Sequence, residues 1–337
     1  MRVVITGGAG FIGWKLALRL LDRGELPGPD GRSAPIDELV LVDVVAPPAH
    51  RMPEDRRLKV MTGDIADSAL MRQAIAPGTG SVFHLAAVVS AHAEADTDAG
   101  LRVNLDGTRA VLDACRALGT APRLVFSSSV AVYGGDLPPV VSEATALTPQ
   151  TSYGAQKACG ELLVNDYTRK GYIDGRALRF PTVVVRPGRP NRAASSFASS
   201  IIREPLSGQE TVCPVSRDAV MAIVSPRRLL EAVERAHDLP AEAYGANRIL
   251  QLPAISPSVG EMVEALRRAE GGEAAAARIR WETDPAIARI VAGWAPAVDG
   301  SRAERMGIRA DRDMDEIVTA FVEDDLPAQL DMVAGRA

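Results

Sequence analysis

Short apolar runs separated by stretches of helical period set the layout of this chain. Arg2 to Thr6 (Arg-Val-Val-Ile-Thr) predicts a buried strand, and Trp14 to Arg23 then places its apolar positions on one helical face. The alternation recurs. Apolar runs at Glu38 to Val42, Leu58 to Met61, Ser81 to Leu85, Arg123 to Phe126 and Ala177 to Val185 predict further strands, with an amphipathic helix over Gly100 to Leu118 and a long helix opening at Thr151. Strands alternating with helices predict an α/β fold built on a doubly wound parallel sheet. Later elements are shorter and punctuated by proline: helices over Ser195 to Arg203, Ser225 to His237, Val259 to Ala269 and Glu273 to Arg278, and a strand over Arg248 to Leu252. The expected division is a nucleotide-binding domain over residues 1–185 and a smaller C-terminal α/β substrate lobe over 186–337, some of whose segments return to the first domain. Trp281, Trp294 and Phe321 are expected in the lobe's core, and Gly24 to Asp37 reads as a solvated surface loop.

The first strand runs into Gly7-Gly8-Ala9-Gly10-Phe11-Ile12-Gly13, and a helix follows. Gly7 and Gly10 let the backbone turn tightly and approach a pyrophosphate; Gly13 lets the helix pack on the strand while its N-terminus, with Phe11 and Ile12, faces the phosphates. This predicts a Rossmann-type dinucleotide site. Asp43, at the tip of the second run, is placed to accept hydrogen bonds from a ribose diol and repels a 2′-phosphate, which predicts NAD rather than NADP. Asp64 and Ile65 follow the third run, with Asp64 set to meet the adenine and Asp67 to cap a helix. Small residues in Leu85-Ala86-Ala87 let the backbone crowd the cofactor. His84, with no second ligand at metal spacing, reads as a satisfied core histidine; no metal site is expected. Asn104, polar in an apolar stripe, reads either as a residue beside the site or as a helix-bend hydrogen bond.

Catalytic chemistry is suggested by Tyr153 and Lys157, which share one helix face. An ammonium one turn from a phenol favours the phenolate, so the pair can form a base near neutral pH. The fifth run delivers Ser127-Ser128-Ser129 to the carboxyl edge of the sheet, where ligands of such folds bind. A hydroxyl there can donate to a substrate oxygen while Tyr153 removes its proton, the arrangement that alcohol oxidation by hydride transfer requires. In the later half Pro181 and Thr182 are expected to pass the nicotinamide. Arg186, Asn191 and Ser195 lie in an arginine-rich segment suited to a carboxylate, with Arg186 the first choice of anchor, and equally to a sugar-nucleotide diphosphate.

Composition narrows the partners. The 337 residues are 47% hydrophobic and 24% charged with net charge −5, and no long run of one sign advertises nucleic acid or an anionic membrane. Cys115, Cys159 and Cys213 are too scattered for a disulfide framework and read as buried small hydrophobes. No charged and apolar leader precedes the strand at Arg2, and no apolar run is long enough to span a bilayer, so a cytoplasmic protein without a membrane partner is expected.

Together the glycine turn, Gly63-Asp64, His84-Leu85-Ala86-Ala87, Ser128-Ser129-x-x-Val132-Tyr133-Gly134 and Tyr153-x-x-x-Lys157 resemble the extended short-chain dehydrogenase/reductases over the first 190 residues. The resemblance implies Ser129 as the catalytic hydroxyl, Tyr153 as the base and Lys157 as the residue that binds the nicotinamide ribose and lowers the Tyr pKa, with Ser127 and Ser128 lining NAD. It also implies a homodimer. The expected reaction is oxidation of the carbon-2 hydroxyl of a small sugar acid. A sugar-nucleotide 4-epimerase and a non-catalytic NAD-sensing protein are the alternatives. A dehydratase is disfavoured because Val130 and Ala131 stand where elimination needs an acid and a base.

Overall fold

The computed structural model describes residues 1–48, 52–189 and 194–335. They form two compact units interleaved along the chain. The first comprises Met1–Val132, Pro149–Arg179 and Ala232–Leu250, the second Tyr133–Thr148, Phe180–Glu231 and Gln251–Ala337. The chain passes between them five times, with later segments returning to the first unit.

The first unit carries a seven-stranded sheet. Its strands are β1 (Arg2–Thr6), β2 (Glu38–Asp43), β3 (Leu58–Thr62), β4 (Thr79–His84), β5 (Arg123–Ser129), β6 (Asp174–Phe180) and β7 (Ile249–Gln251), in the order β7-β6-β5-β4-β1-β2-β3. β1 pairs in parallel with both β2 and β4, so the strand order reverses at β1 and opens a crevice at its carboxyl end. Val3, Val4 and Ile5 are wholly buried, as are Leu39 to Val42, because helices cover both faces. Phe11–Arg23 begins a turn earlier than its apolar period suggested; it buries Gly13, Leu16, Ala17, Leu20 and Leu21 on one stripe and stops at Gly24, whose φ of 75° supplies the left-handed cap.

Two local expectations are corrected. The segment after that helix is a short hairpin, Glu25–Pro27 against Ser33–Pro35, not an unstructured loop. It buries Leu26 completely and Ile36 nearly so, and that apolar contact holds it. The expected Gly100 to Leu118 helix is a π-helix, Leu101–Gly107, running into the α-helix Thr108–Leu118.

In the second unit two short parallel pairs, Thr182–Val183 with Ile223–Val224 and Thr211–Cys213 with Ile279–Trp281, are surrounded by helices including Ser196–Leu206, Val259–Arg268 and Met314–Asp324. Their core centres on Phe197, Ile201, Met262, Ile317 and Phe321, with Trp281 and Trp294 packed at its margin. Cys115 and Cys213 are buried as expected, but Cys159 is exposed because it falls on the outer face of its helix.

Candidate active site

The crevice at the end of β1 is built by absent side chains. Gly7 has φ +70°, and a Cβ there would sit 2.7 Å from the backbone nitrogen of Ala86, so the turn can press against the segment after β4 only as glycine. A Cβ on Gly13 would land on the carbonyl of Gly7, which is the close helix-to-strand packing the motif requires. Gly10, the N-cap, leaves the first turn of the following helix without a side-chain cap, so the amides near Phe11 and Ile12 are donors suited to a pyrophosphate. Asp43 ends β2 half-buried; its carboxylate accepts from the Ala9 amide at 3.0 Å and the Val44 amide at 2.8 Å, which fixes an anion beside the turn. These features fit a dinucleotide.

Around this crevice Asp64 pairs with Arg102 and accepts from the Ala66 amide at 2.9 Å. Asp67 caps the helix Ser68–Ala74 through the Ala69 and Leu70 amides. The Ile65 side chain is 4% exposed and lies in the hydrophobic core, against Gly107. Leu85, Ala86 and Ala87 are half-buried at the end of β4. The Ser127 hydroxyl donates to the His84 carbonyl at 3.2 Å. His84 is a core histidine: its ring nitrogens meet the Thr6 and Thr108 hydroxyls at 2.7 and 2.9 Å, and burial, then the nearby Lys157, push its pKa down to about 3. Asn104, inside the π-turn, exchanges hydrogen bonds with both the N–H and C=O of Val88 (2.8 and 2.9 Å) and donates to Gln156 Oε1 at 2.8 Å. It fastens the segment after β4 to the helix that carries Tyr153, so its amide is committed to protein partners.

That helix, Ser152–Arg169, starts with Thr151 as N-cap, whose hydroxyl accepts from the Gly154 amide at 3.1 Å. Its buried stripe holds Gly154, Gln156, Lys157, Gly160, Glu161 and Val164, so polar groups occupy positions where a core helix carries leucines. Two glycines let it lie on β5. A Cβ on Gly160 would be 2.5 Å from the Phe126 ring, and one on Gly154 would strike the Ala131 carbonyl. This close approach brings the Tyr153 turn to the chain just past Ser129, whose hydroxyl accepts from the Ala131 amide at 3.1 Å. The Lys157 ammonium lies 4.7 Å from the Phe126 ring centroid and 5.7 Å from that of Tyr153. Ser129, Tyr153 and Lys157 are thus gathered at the carboxyl end of β5.

Comparison with known proteins identifies the family. Residues 3–245 match the model of the NAD dependent epimerase/dehydratase family. The chain belongs to that family. This epimerase/dehydratase-family chain is 52% identical over 324 residues to a D-erythronate dehydrogenase of Cupriavidus necator, covering 96% of this chain and 98% of that protein. It is 40% identical over 326 residues to a D-erythronate dehydrogenase of Haemophilus influenzae, covering 97% and 100%. A crystal structure described as a nucleoside-diphosphate-sugar epimerase from Agrobacterium tumefaciens superposes with a TM-score of 0.89 at 41% identity, covering 98% of this chain and 96% of that one.

Several family-chain residues depart from their expected places or escaped notice. Ser128, expected to line the cofactor, turns its hydroxyl into the core and donates to Glu161 Oε1 at 2.5 Å. Glu161 is fully buried and takes a two-pronged ion pair from Arg179 on β6, at 2.8 Å from Nε and 2.7 Å from a terminal nitrogen. Both were missed, although an acid four residues after Lys157 and an arginine inside an apolar strand are visible in the sequence. In the second unit the buried Pro181 precedes the strand Thr182–Val183, which Thr182 opens. Arg186 is half-buried, its amide donating to Ser199 at 3.0 Å and its carbonyl accepting from Arg203 at 2.5 Å; Arg189 is exposed. Ser195 precedes the helix Ser196–Leu206, while Asn191 and Arg192 lie outside the described residues.

Proposed function

We propose that this chain oxidises the carbon-2 hydroxyl of D-erythronate to 2-dehydro-D-erythronate with NAD. The observation that carries the reading is 52% identity over nearly the whole of both chains to a protein named for that activity. The chemistry of the first unit agrees with it. NAD, when bound, supplies the hydride acceptor. The glycine turn and the uncapped helix N-terminus hold the pyrophosphate, and Asp43 the adenosine ribose, with Asp64, Leu85, Ala86, Ala87 and Ser127 along the dinucleotide. Asn104 supports that wall indirectly through Val88, and Ile65 is assigned to the dinucleotide beside Asp64. Tyr153 takes the hydroxyl proton, Ser129 orients the oxygen, and the charge on Lys157 favours the phenolate.

Pro181 and Thr182 are assigned to the nicotinamide, and Arg186, with Asn191 and Ser195, to the sugar-acid carboxylate, for which an arginine's paired donors are suited. Among the described residues no helix is long and apolar enough to cross a membrane, and no cluster suits a metal ion. A cytoplasmic homodimer is part of the proposal. Leu162 on the Tyr153 helix (64% exposed) and Leu101 at the start of the π-helix (41% exposed) give it an apolar face to pair.

The test is a parallel assay of the purified protein with NAD and C4 to C6 aldonates, and with UDP-glucose. NADH formed with D-erythronate, and lost by about 10²-fold or more in Tyr153→Phe, supports the reading. An isomerised sugar nucleotide without net NADH would replace it with the epimerase.

A further inference from the structure

Lys157 has to be charged where charge is expensive. Its side chain is 2% exposed and lies against the Phe126 ring, and burial pushes its pKa down to about 7; the carboxylate of Glu161 opposes that push. Glu161 lies one turn further along the same helix face. It is completely buried, and it is positioned from two strands of the sheet: by the Ser128 hydroxyl on β5 and by the paired donors of Arg179 on β6. Other polar groups nearby do not substitute for it. His84 on β4 is neutral at working pH and engaged by two threonines, Arg102 on the π-helix is paired with Asp64, and Asp113 accepts from Tyr167 further along the helix pair.

We infer that Glu161, anchored by Arg179 and Ser128, is a positioning residue that keeps Lys157 in its ammonium form and thereby sets the pH at which Tyr153 becomes a competent base. The inference rests on the proposed dehydrogenase reaction for its consequence, but the charge on Lys157 is measurable without turnover. Ser128 adjoins Ser129, so the strand that presents the oxygen-orienting hydroxyl also holds the acid that supports the lysine.

The chain has four lysines, Lys15, Lys59, Lys157 and Lys170, which makes Lys157 separable in a ¹³Cε NMR titration of the lysine-labelled protein. Glu161→Gln lowers the Lys157 midpoint by about one pH unit or more, whereas Glu161→Asp keeps it near wild type. In turnover, the basic limb of kcat/KM, along which the Lys157 ammonium is lost, moves to lower pH in Glu161→Gln by about one unit, costing several-fold at neutral pH, and Glu161→Asp restores it. A variant that merely loosened the fold would lower the rate without moving the limb. Because Glu161→Gln strands Arg179 in the core, the double variant Glu161→Gln with Arg179→Gln provides a second folded form, in which the Lys157 midpoint also lies below wild type. An unchanged Lys157 midpoint in the single and double variants would overturn the inference. A moved midpoint in a protein that forms no NADH with any sugar acid would instead remove the proposed reaction and leave the electrostatic assignment standing.

Discussion

Replacing Lys157 with methionine should make the protein more stable and less active. The amine is buried with its pKa depressed from 10.5 to about 7, so the folded state disfavours a proton that the unfolded chain holds up to about pH 10. The sign follows from proton uptake: between pH 7 and 10 the unfolded chain binds more protons than the fold, so stability rises with pH across that window. At 1.36 kcal/mol per pKa unit, the amine costs the fold about 4 kcal/mol at pH 7 and about 2 kcal/mol at pH 9. Methionine has similar length and no charge. It gives up the contact of the ammonium with Phe126, worth about 1 kcal/mol, and leaves Glu161 paired with Arg179. The net gain at pH 7 is about 3 kcal/mol. Urea unfolding without NAD, at pH 7 and pH 9, measures it: wild type gains about 2 kcal/mol over that interval relative to Lys157→Met. If the Lys157 charge serves the proposed reaction, the variant's turnover should fall by about 10²-fold or more. Equal pH dependence in the two proteins, or a variant less stable than wild type at pH 7, would refute the reasoning.

Three further outcomes are expected. Asp43→Asn should lower the preference for NAD over NADP by at least about tenfold, read as the ratio of kcat/KM for the two cofactors, because the carboxylate beside the glycine turn repels a 2′-phosphate. Arg186→Ala should raise KM for the sugar acid by about tenfold or more with little change in kcat; an unchanged KM would remove Arg186 as the carboxylate anchor. Acid should unfold the protein early. Burial holds His84 down to about 3 and His237 to about 4, so both are neutral in the fold and take up protons on unfolding below about pH 6.5. Stability is therefore lost as pH falls from 6.5 towards 4, by up to about 3 kcal/mol per pH unit for the two together, and His237→Asn should remove about half of that slope in acid titrations followed by urea unfolding.

The features readable from the sequence are those whose physics is local. The glycine turn, β1 and the helix after it were legible because tight turning, burial on both faces and helical periodicity each leave a mark within a few residues. Tyr153 and Lys157 were legible as a pair because helix geometry alone puts them on one face. Glu161 lies on that face as well, but its partners Ser128 and Arg179 come from two strands, and only tertiary packing unites them. The π-turn that aims Asn104 at Val88 depends on packing against neighbouring elements, so the periodicity of Gly100 to Leu118 could not reveal it. The Glu25–Pro27 hairpin was hidden by glycine, proline and aspartate, residues that mark a turn without declaring that Leu26 is buried beneath it. Cys159 is the reverse case: its residue type suggested burial, whereas its helix face is exposed.

The central claim is a hydride transfer from carbon 2 of D-erythronate to NAD, with Tyr153 taking the hydroxyl proton. It is tested most directly by turnover of D-erythronate deuterated at carbon 2, with the NADH analysed by mass spectrometry. The account predicts NADH one mass unit heavier, formed with a primary isotope effect once chemistry limits the rate, and formed about 10²-fold or more slowly in Tyr153→Phe. NADH formed without deuterium, or no NADH from D-erythronate at all, would contradict it.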